Sequence, residues 1–368
     1  MDHTALRAAR EAAGLSLSEM ARQVPYSKAA LGHYETGVRT PTAEVITWYE
    51  RVCGADRVNW VLRIAASDIG GDTLDRLESA VDDLASAYPT TPAEELLTRI
   101  RHHLGFAAKL MDAKKTLSQH RRLVVVVGWL NLLASTCHVD LGELPDAAAR
   151  GHAAWQASLE AEHREISGWC LETRAWERLT AGKFAVAAEL SRAAQEIARE
   201  DSSAFIQATA QEGRALARLG NSEGTYGALR KVARLVSGLS TPDRPEHHFR
   251  YDPAKSDAYV ATTLSWLGDP AAESYARHVL ADLKAAESAR PRRIASANLD
   301  LGLALVAADK PEEAADAALT AVASGRLVPS NYWRVSEVVS GIEGRGAPDA
   351  AIVREAFRDT YAPCHGVS

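Results

Sequence analysis

Turns that recur at intervals of roughly forty residues constrain the fold of this chain more than any other feature of its sequence. The turns are separated by 40, 38, 48 and 41 residues, and each stands between two stretches of helical rather than strand-like periodicity. They are Leu141-Gly142-Glu143, Ala181-Gly182-Lys183, Leu219-Gly220-Asn221, Leu267-Gly268-Asp269 and Ala308-Asp309-Lys310. Small residues recur five positions after three of them, at Ala147, Ala187 and Ala314, where two helices need to approach closely. The pattern predicts an all-α chain of stacked helix pairs.

This pattern resembles tetratricopeptide-type repeats. The unit around Leu301-Gly302 fits best, with Leu305, Ala314, Ala318 and Ala321 at the positions that the family fills with apolar or small residues. The period is longer than the usual 34 residues and aromatic positions are often missing, so the region is tetratricopeptide-like. The resemblance implies an α-solenoid over residues 93–362, with a concave surface for a peptide, small molecule or protein and with a dimer interface.

The longest spacing contains an insertion, residues 237–253, whose three prolines exclude a regular helix. Its side chains are of types that recognise ligands, as are those of a second dense stretch at residues 330–334. We therefore expect a ligand or partner to contact His247, His248, Arg250, Tyr251, Asn331 and Trp333. The alternative is that the insertion only packs against a neighbouring repeat, with its polar groups capping helix ends.

The first fifty residues contain several short helices that can be placed from their punctuation. A helix over residues 4–13 ends at Gly14, and Ser16-Leu17-Ser18-Glu19 forms a capping box for a second helix that runs to about Val24. Ser27 is the expected N-cap of a third helix, 28–36, closed by Gly37. Thr40-Pro41-Thr42 opens the next helix, which buries Val45, Ile46 and Tyr49 and stops at Gly54.

These helices resemble the helix-turn-helix of the phage Cro and repressor (XRE) family. The resemblance rests on Ala21 at the helix crossing, on Leu31 and Tyr34 in the recognition helix, and on the exit Glu35-Thr36-Gly37-Val38-Arg39-Thr40-Pro41. Two positions depart from the family pattern. Pro25 stands where the family has Gly in the turn, and since Pro cannot adopt φ > 0 the turn geometry must differ. Leu17 replaces a polar residue that the family places near a phosphate.

The resemblance implies that the third helix enters the DNA major groove with its N-terminal residues facing base edges. Lys28 can donate to guanine, Ala29 can touch a thymine methyl group, and His33 can donate to a purine or a phosphate. Gly32 leaves room for close approach of the backbone. Ser27 and Arg39 are better placed for phosphates, which position the protein without specifying sequence.

Composition supports this interpretation only weakly. The net charge is −6, and residues 1–54 carry six basic and six acidic side chains, so the argument for DNA depends on where the charges lie. Cys53, Cys137, Cys170 and Cys364 have no metal-ligand spacing and are typical of a reduced cytoplasmic protein. The N-terminus has no signal-peptide pattern, and the longest apolar run, Leu123 to Ala134, is too short for a membrane span and predicts a buried core helix.

No catalytic function is expected, because the sequence contains no GxxxxGK[ST] or HExxH motif and no GxGxxG after a strand. Neither a metal nor another cofactor is predicted. The expected organisation is a helix-turn-helix domain over residues 1–55, a connector over 56–92 with an amphipathic helix from Asp72 to Tyr88, and the solenoid over 93–362. The whole resembles actinobacterial regulators that join an XRE module to such a solenoid.

The sequence therefore indicates a cytoplasmic, nucleoid-associated regulator that binds an inverted-repeat operator as a homodimer and couples DNA binding to ligand sensing. A second hypothesis is a protein-interaction scaffold in which the helix-turn-helix is vestigial. The departures at Leu17 and Pro25 favour the scaffold, whereas Lys28, His33 and Arg39 favour DNA binding. An enzyme is the third class and has the least support.

Overall fold

A computed structural model describes residues 3–53, 68–285 and 290–361 of the chain. Its described residues form helices and no β-strand. Two expected features, the end of the fourth helix at Gly54 and the thiol of Cys364, lie outside those residues, as does the expected domain boundary at 55–56. The helices are α1 His3–Ala12, α2 Leu17–Ala21, α3 Lys28–Glu35, α4 Ala43–Cys53, α5 Gly71–Ala87, α6 Ala93–Asp112, α7 Leu117–Leu141, α8 Leu144–Glu160, α9 Arg164–Thr180, α10 Phe184–Ile197, α11 Ser203–Arg218, α12 Ser222–Val236, α13 Lys255–Leu267, α14 Ala272–Ala285, α15 Pro291–Ala307, α16 Pro311–Ala323, α17 Pro329–Glu343 and α18 Asp349–Tyr361.

The chain divides into two compact units. The first comprises Met1–Leu74 and Lys109–Arg122, and the second comprises Asp75–Ala108 and Leu123–Ser368. The first contains the four short N-terminal helices, and the second contains the longer helices of the repeat body.

The N-terminal helices begin where their capping residues predict. The hydroxyl of Ser16 accepts the Glu19 N–H at 3.2 Å, and the Glu19 carboxylate accepts the Ser16 N–H at 2.7 Å, which confirms the capping box. Gly14 and Gly37 have left-handed φ angles of 70° and 77° beyond the ends of α1 and α3, as expected for glycine after a helix. The domain core is small and apolar, consisting of Leu6, Ala9, Met20, Leu31, Val45, Tyr49 and Cys53.

The second helix is shorter than expected. It ends at Ala21 rather than near Val24, because the N–H groups of Arg22 and Gln23 bond the carbonyls three residues back, those of Glu19 and Met20. These tighter bonds end the α-helical pattern and open a six-residue turn before α3. Pro25 lies in that turn.

The repeat body consists of helix hairpins joined at the predicted turns. Gly142, Gly182, Gly220 and Gly268 have φ angles of 70–74°, and Asp309 has φ 59°. They separate the helices of the pairs α7/α8, α9/α10, α11/α12, α13/α14 and α15/α16. The left-handed conformation ends the first helix of each pair and is accessible to Gly at little cost. All five turns are therefore confirmed as helix-to-helix connections.

Small residues lie where the hairpin helices approach. Ala147, Ala187 and Ala314 are buried, and Ala147 O accepts the Ser135 hydroxyl of the preceding helix at 2.7 Å. Leu305, Ala318 and Ala321 are buried in the core of the last repeats. The assignment of these repeats specifically to the tetratricopeptide type stays a prediction.

Helix α7 is the apolar helix singled out in the sequence. By length and composition it could cross a membrane, but 78% of its apolar window is buried inside the protein. Asn131 within it bonds Val127 O and accepts from Arg150 at 3.1 Å. These contacts are those of a core helix.

Candidate functional site

The recognition helix α3 presents most of its predicted DNA-contacting residues at the surface. Ser27 caps the helix by accepting the Ala30 N–H at 3.2 Å, and Lys28, Ala29 and His33 are exposed. Gly32 is half-buried, and a Cβ at this position would meet no atom within 4 Å. The helix therefore has an open face along its first two turns.

Arg39 lies in the exit segment after α3. Its side chain is exposed, and its N–H donates to His33 O at 3.0 Å, which folds the segment back onto the helix. Gly37 permits this reversal with its left-handed φ, and a Cβ there would meet the His3 ring at 3.1 Å. The backbone hydrogen bond thus holds the exit segment with Arg39 next to the C-terminal end of α3.

The opposite side of α3 is fixed by a buried polar network. Arg10 donates to both carboxylate oxygens of Glu35 at 2.7 Å and to Leu15 O at 2.7 Å. Tyr49 donates to the same carboxylate at 2.8 Å, and burial raises the pKa of its phenol. The network ties α3 to α1 and α4, so it orients the exposed face.

Leu17 has a packing role. It is half-buried against the domain core, alongside Ala21 and Val24. Leu17 therefore stabilises the domain by apolar packing.

The insertion at residues 237–253 packs onto α5 within the second unit. His247 Nε2 lies 3.1 Å from Asp82 Oδ1, and Arg250 donates to the other oxygen of Asp82 at 3.1 Å. The His248 N–H donates to Ala85 O at 3.0 Å. The insertion is thus held by specific polar bonds and is irregular in conformation, as its prolines predict.

Aromatic contacts complete this packing. Phe249 lies with its ring centroid 4.8 Å from that of Trp129 and 5.4 Å from that of Trp169. Tyr251 is buried, and its N–H donates to Ser203 Oγ at 2.9 Å.

A cavity of about 510 Å³ lies inside the second unit. Of the six residues predicted to contact a ligand, His248 and Asn331 line it, whereas His247, Arg250, Tyr251 and Trp333 do not. Trp333 instead packs against Trp266 with centroids 5.6 Å apart, and its indole donates to Ser330 O at 2.9 Å. His247 and Arg250 instead contact Asp82, and a ligand contact by any of these four residues stays a prediction.

The first helices of the hairpins supply most of the cavity wall. The polar and aromatic wall residues on these helices include Asp140 on α7, Trp169, Glu172 and Trp176 on α9, Gln207, Gln211 and Arg214 on α11, Tyr259 on α13, Arg292 and Asp300 on α15, and Arg334 on α17. The charged members of this set were not predicted from the sequence. Sequence position gave little signal, because Arg214 and Arg334 each lie one helical turn from other polar side chains, those of Gln211 and Glu337.

Asp140 joins four segments at the cavity wall. It is 1% exposed, and it accepts hydrogen bonds from Tyr88 at 2.7 Å and from Ser330 at 2.9 Å. Arg292 also donates to it, and the Arg292 guanidinium lies 4.8 Å from the Tyr88 ring centroid. The three side chains together satisfy the hydrogen-bonding capacity of the Asp140 carboxylate, and the Arg292 guanidinium compensates its charge.

Glu172 lies deeper in the wall. Burial is the main cause that raises the pKa of its carboxyl to about 7, and a hydrogen bond donated by Gln207 at 3.1 Å opposes the shift. Arg214 faces it from α11 and Tyr259 from α13. Near neutral pH this carboxyl is therefore partly protonated.

The raised pKa makes stability depend on pH. A carboxyl with a folded-state pKa near 7 and a usual value of 4.5 binds its proton more tightly in the folded protein, so stability falls as pH rises from 4.5 through 7. Between pH 5 and pH 8 the loss amounts to about 2–3 kcal/mol. Glu172→Gln is expected to remove this loss, measured as the difference in unfolding free energy between the two pH values.

The matched control is Glu177→Gln, on the same helix but outside the cavity lining. It should retain the pH dependence of the unsubstituted protein. An unchanged pH dependence in Glu172→Gln would contradict the assignment.

Three ligand atoms that could hold a metal lie within 4.8 Å of one another at His138, Glu143 and Asp146. His138 Nδ1 is 2.6 Å from Glu143 Oε2, and both acidic side chains belong to exposed residues. A hydrogen bond between His138 and Glu143 accounts for this arrangement, and no metal site is assigned to it.

Comparison with known families identifies the N-terminal domain. Residues 4–59 match a family model described as a helix-turn-helix domain. This agrees with the fold, and it supports a DNA-binding transcription regulator, a class of protein that is not an enzyme. A comparison with curated proteins finds no match.

Two solved structures share parts of the fold. The crystal structure of Bacillus thuringiensis PlcR in complex with the peptide PapR7 and DNA is 14% identical, covers 64% of this chain and 93% of its own, and has a TM-score of 0.35. The apo form of the competence regulator ComR from Streptococcus vestibularis is 11% identical, covers 94% of this chain and 98% of its own, and has a TM-score of 0.30. At these TM-scores neither likeness carries an argument about function.

Proposed function

We propose that the protein is a sequence-specific transcription regulator that reads DNA with α3. The observation that carries this proposal is the exposure of Lys28, Ala29 and His33 on a helix whose opposite side is fixed by the buried Arg10–Glu35 pair. In the major groove, Lys28 would donate to a guanine edge, and Ser27 and Arg39 would contact phosphates. The capping box and the exit segment support assignment of the domain to the Cro/repressor (XRE) type.

The proposal includes a homodimer on an inverted-repeat operator, because one short recognition helix reads too few base pairs for useful specificity. It also includes ligand sensing by the repeat body, where the cavity can hold a peptide segment or a small molecule. A cytoplasmic, nucleoid-associated location follows from this role. Light scattering of the full chain with and without operator DNA tests the dimer.

The experiment that tests DNA reading compares Lys28→Ala with Arg39→Ala on an operator found by genome-wide occupancy mapping. Lys28→Ala is expected to lose about 1–3 kcal/mol on the operator and to relax discrimination at one base position. Arg39→Ala is expected to weaken binding to operator and scrambled DNA alike and to reduce the salt dependence, because a phosphate contact releases counterions. Gel-shift titrations at several salt concentrations measure both effects.

Arg7→Ala provides the control, since Arg7 is an exposed arginine of α1 that pairs with Glu11 at 2.9 Å. It should leave the preference for the operator unchanged. If the chain occupies no specific DNA sites, the helix-turn-helix serves as a scaffold instead. If both variants behave alike on the two DNAs, the assigned roles of Lys28 and Arg39 are wrong.

A further inference from the structure

The cavity wall contains a guanidinium that lacks a carboxylate partner. Arg214 Nη1 donates to Gln211 Oε1 at 3.0 Å, and the guanidinium lies over the rings of Tyr259 and Trp266 at 5.4 and 5.0 Å. Within the described ranges of the chain, Arg214 makes no ion pair, and its buried Nε has no hydrogen-bond partner. A buried cation with unused donors is costly unless an anion completes the site.

A second guanidinium faces the same space. Arg334 is 5% exposed and contacts Asp300, yet its Nε has no hydrogen-bond partner among the described residues. Burial, and then the charge of Arg214, lower the pKa of Arg334 to about 9. Gln211, fully buried beside them, likewise has an amide nitrogen without a partner. The three side chains with unused donors therefore all line the same cavity.

The charges of the wall indicate a monoanion. Asp300 compensates Arg334, Asp140 compensates Arg292, and Glu246 lies 3.1 Å from Arg290. The remaining acids of the lining are Asp257 and Asp282, which are exposed, and Glu172, whose carboxyl is partly protonated near neutral pH. Arg293 pairs with Asp252, so among the described residues Arg214 is the one arginine of this lining without an ion pair, and partly protonated Glu172 offsets part of its charge. The buried wall therefore carries an excess of no more than one positive charge, which suits a carboxylate better than a phosphate of about −1.5 to −2.

The rest of the wall suits an apolar ring. Trp169, Trp176 and Tyr259 line the same cavity, and aromatic side chains contact flat ligands with little loss of conformational entropy. A volume of about 510 Å³ accommodates one small molecule. A guanidinium fork can take both oxygens of a carboxylate.

We infer that the cavity binds a small aromatic monocarboxylate, with Arg214 and Arg334 holding the carboxylate and the tryptophan and tyrosine side chains contacting the ring. The inference rests on the proposed ligand-sensing function and names its chemical class. Binding is measured without DNA, so its failure is distinguishable from failure of DNA recognition.

The test uses the full-length protein with benzoate and indole-3-acetate, compared with benzamide and phenyl phosphate at matched ionic strength. Titration followed by tryptophan fluorescence and by calorimetry is expected to show saturable binding of at least one carboxylate. Benzamide should bind about tenfold more weakly than benzoate, since it lacks the charge. The affinity for the carboxylate should be higher at pH 6 than at pH 8, because Glu172 is more protonated at pH 6 and repels the ligand's negative charge less.

Arg214→Met separates a binding role from a structural role. Removing an uncompensated buried charge is expected to raise the melting temperature in ligand-free buffer and to abolish the carboxylate-induced rise. Arg218→Met is the matched control on the same helix, because Arg218 pairs with Glu337 at 2.5 Å and lines a different pocket. It should lower the melting temperature but retain carboxylate binding. If Arg214→Met fails to fold, Arg214→Lys keeps the charge without the fork and should weaken carboxylate binding about tenfold.

Three results would overturn the inference. One is the absence of saturable binding by either carboxylate. Another is equal affinity of a carboxylate for the unsubstituted protein and for the Arg214 variant. The third is tighter binding of phenyl phosphate than of benzoate, which would assign the site to phosphate esters.

Discussion

Replacing Glu35 by alanine is expected to unfold the helix-turn-helix domain. The substitution leaves Arg10 buried without the carboxylate that it contacts through two 2.7 Å bonds, and removing one partner of such a pair typically costs about 3–5 kcal/mol. A domain of about fifty residues has a total stability of roughly 3–8 kcal/mol, so the loss is comparable to the whole. Hydrogen exchange of residues 3–53 in the full chain measures the effect, with the second unit as an internal reference.

The control for this prediction is Glu11→Ala. Glu11 pairs with Arg7 on the surface of α1, and its side chain is 53% exposed, so its loss should leave the protection of residues 3–53 nearly unchanged. Replacing the network as a whole, with Arg10→Met, Glu35→Leu and Tyr49→Phe together, should recover part of the stability because no buried polar group is left alone. Protection of residues 3–53 that survives in Glu35→Ala would show that the pair does not hold the domain together.

The helices of the N-terminal domain could be predicted because their signals are local. A capping box and a glycine with positive φ act within one helical turn, so Ser16, Glu19, Gly14 and Gly37 mark helix ends without tertiary information. The Arg10–Glu35 pair joins residues 25 positions apart, and the sequence offers only an arginine on the apolar stripe of α1 as a hint. The end of α2 was also not predicted correctly, because hydrogen bonds to the carbonyl three residues back form at helix ends without a distinctive amino-acid composition.

The repeat turns were predictable because their signals are also local. The contacts of the insertion, residues 237–253, were not predictable in this way. Prolines indicate that residues 237–253 are irregular, but they give no partner for the side chains. His247 and Arg250 both contact Asp82 on α5, which lies more than 160 positions earlier in the chain. Ligand-like residue types in a loop therefore do not distinguish binding from packing until the neighbouring helix is known.

The cavity escaped prediction because periodicity does not reveal which polar residues share a space. Arg214, Asp300 and Arg334 lie on three different helices, α11, α15 and α17, and each of these helices carries other charged residues. Asn331 lines the cavity and stands in a polar and aromatic stretch of the sequence, and its contact with a ligand stays a prediction.

Replacing Asp140 by alanine is expected to be the most destabilising single change at the cavity. The carboxylate accepts bonds from Tyr88 after α5, Arg292 at the start of α15 and Ser330 at the start of α17. Its removal leaves the largely buried Arg292 guanidinium uncompensated, at a cost of about 3–5 kcal/mol. For a unit of this size that corresponds to a fall in melting temperature of about 5–9 °C, measured by calorimetry on the full chain.

Asp140→Asn distinguishes charge from hydrogen bonding at this position, since the amide oxygen can still accept from two of the three donors. Its melting temperature should lie between those of the unsubstituted protein and Asp140→Ala. Asp201→Ala is the matched control, because Asp201 also pairs with an arginine, Arg199 at 3.2 Å, but on the surface, where both side chains are more than 70% exposed. That pair should contribute less than about 1 kcal/mol. Equal melting temperatures for Asp140→Ala and Asp201→Ala would mean that the four segments are held by apolar packing and that the Asp140 network adds little.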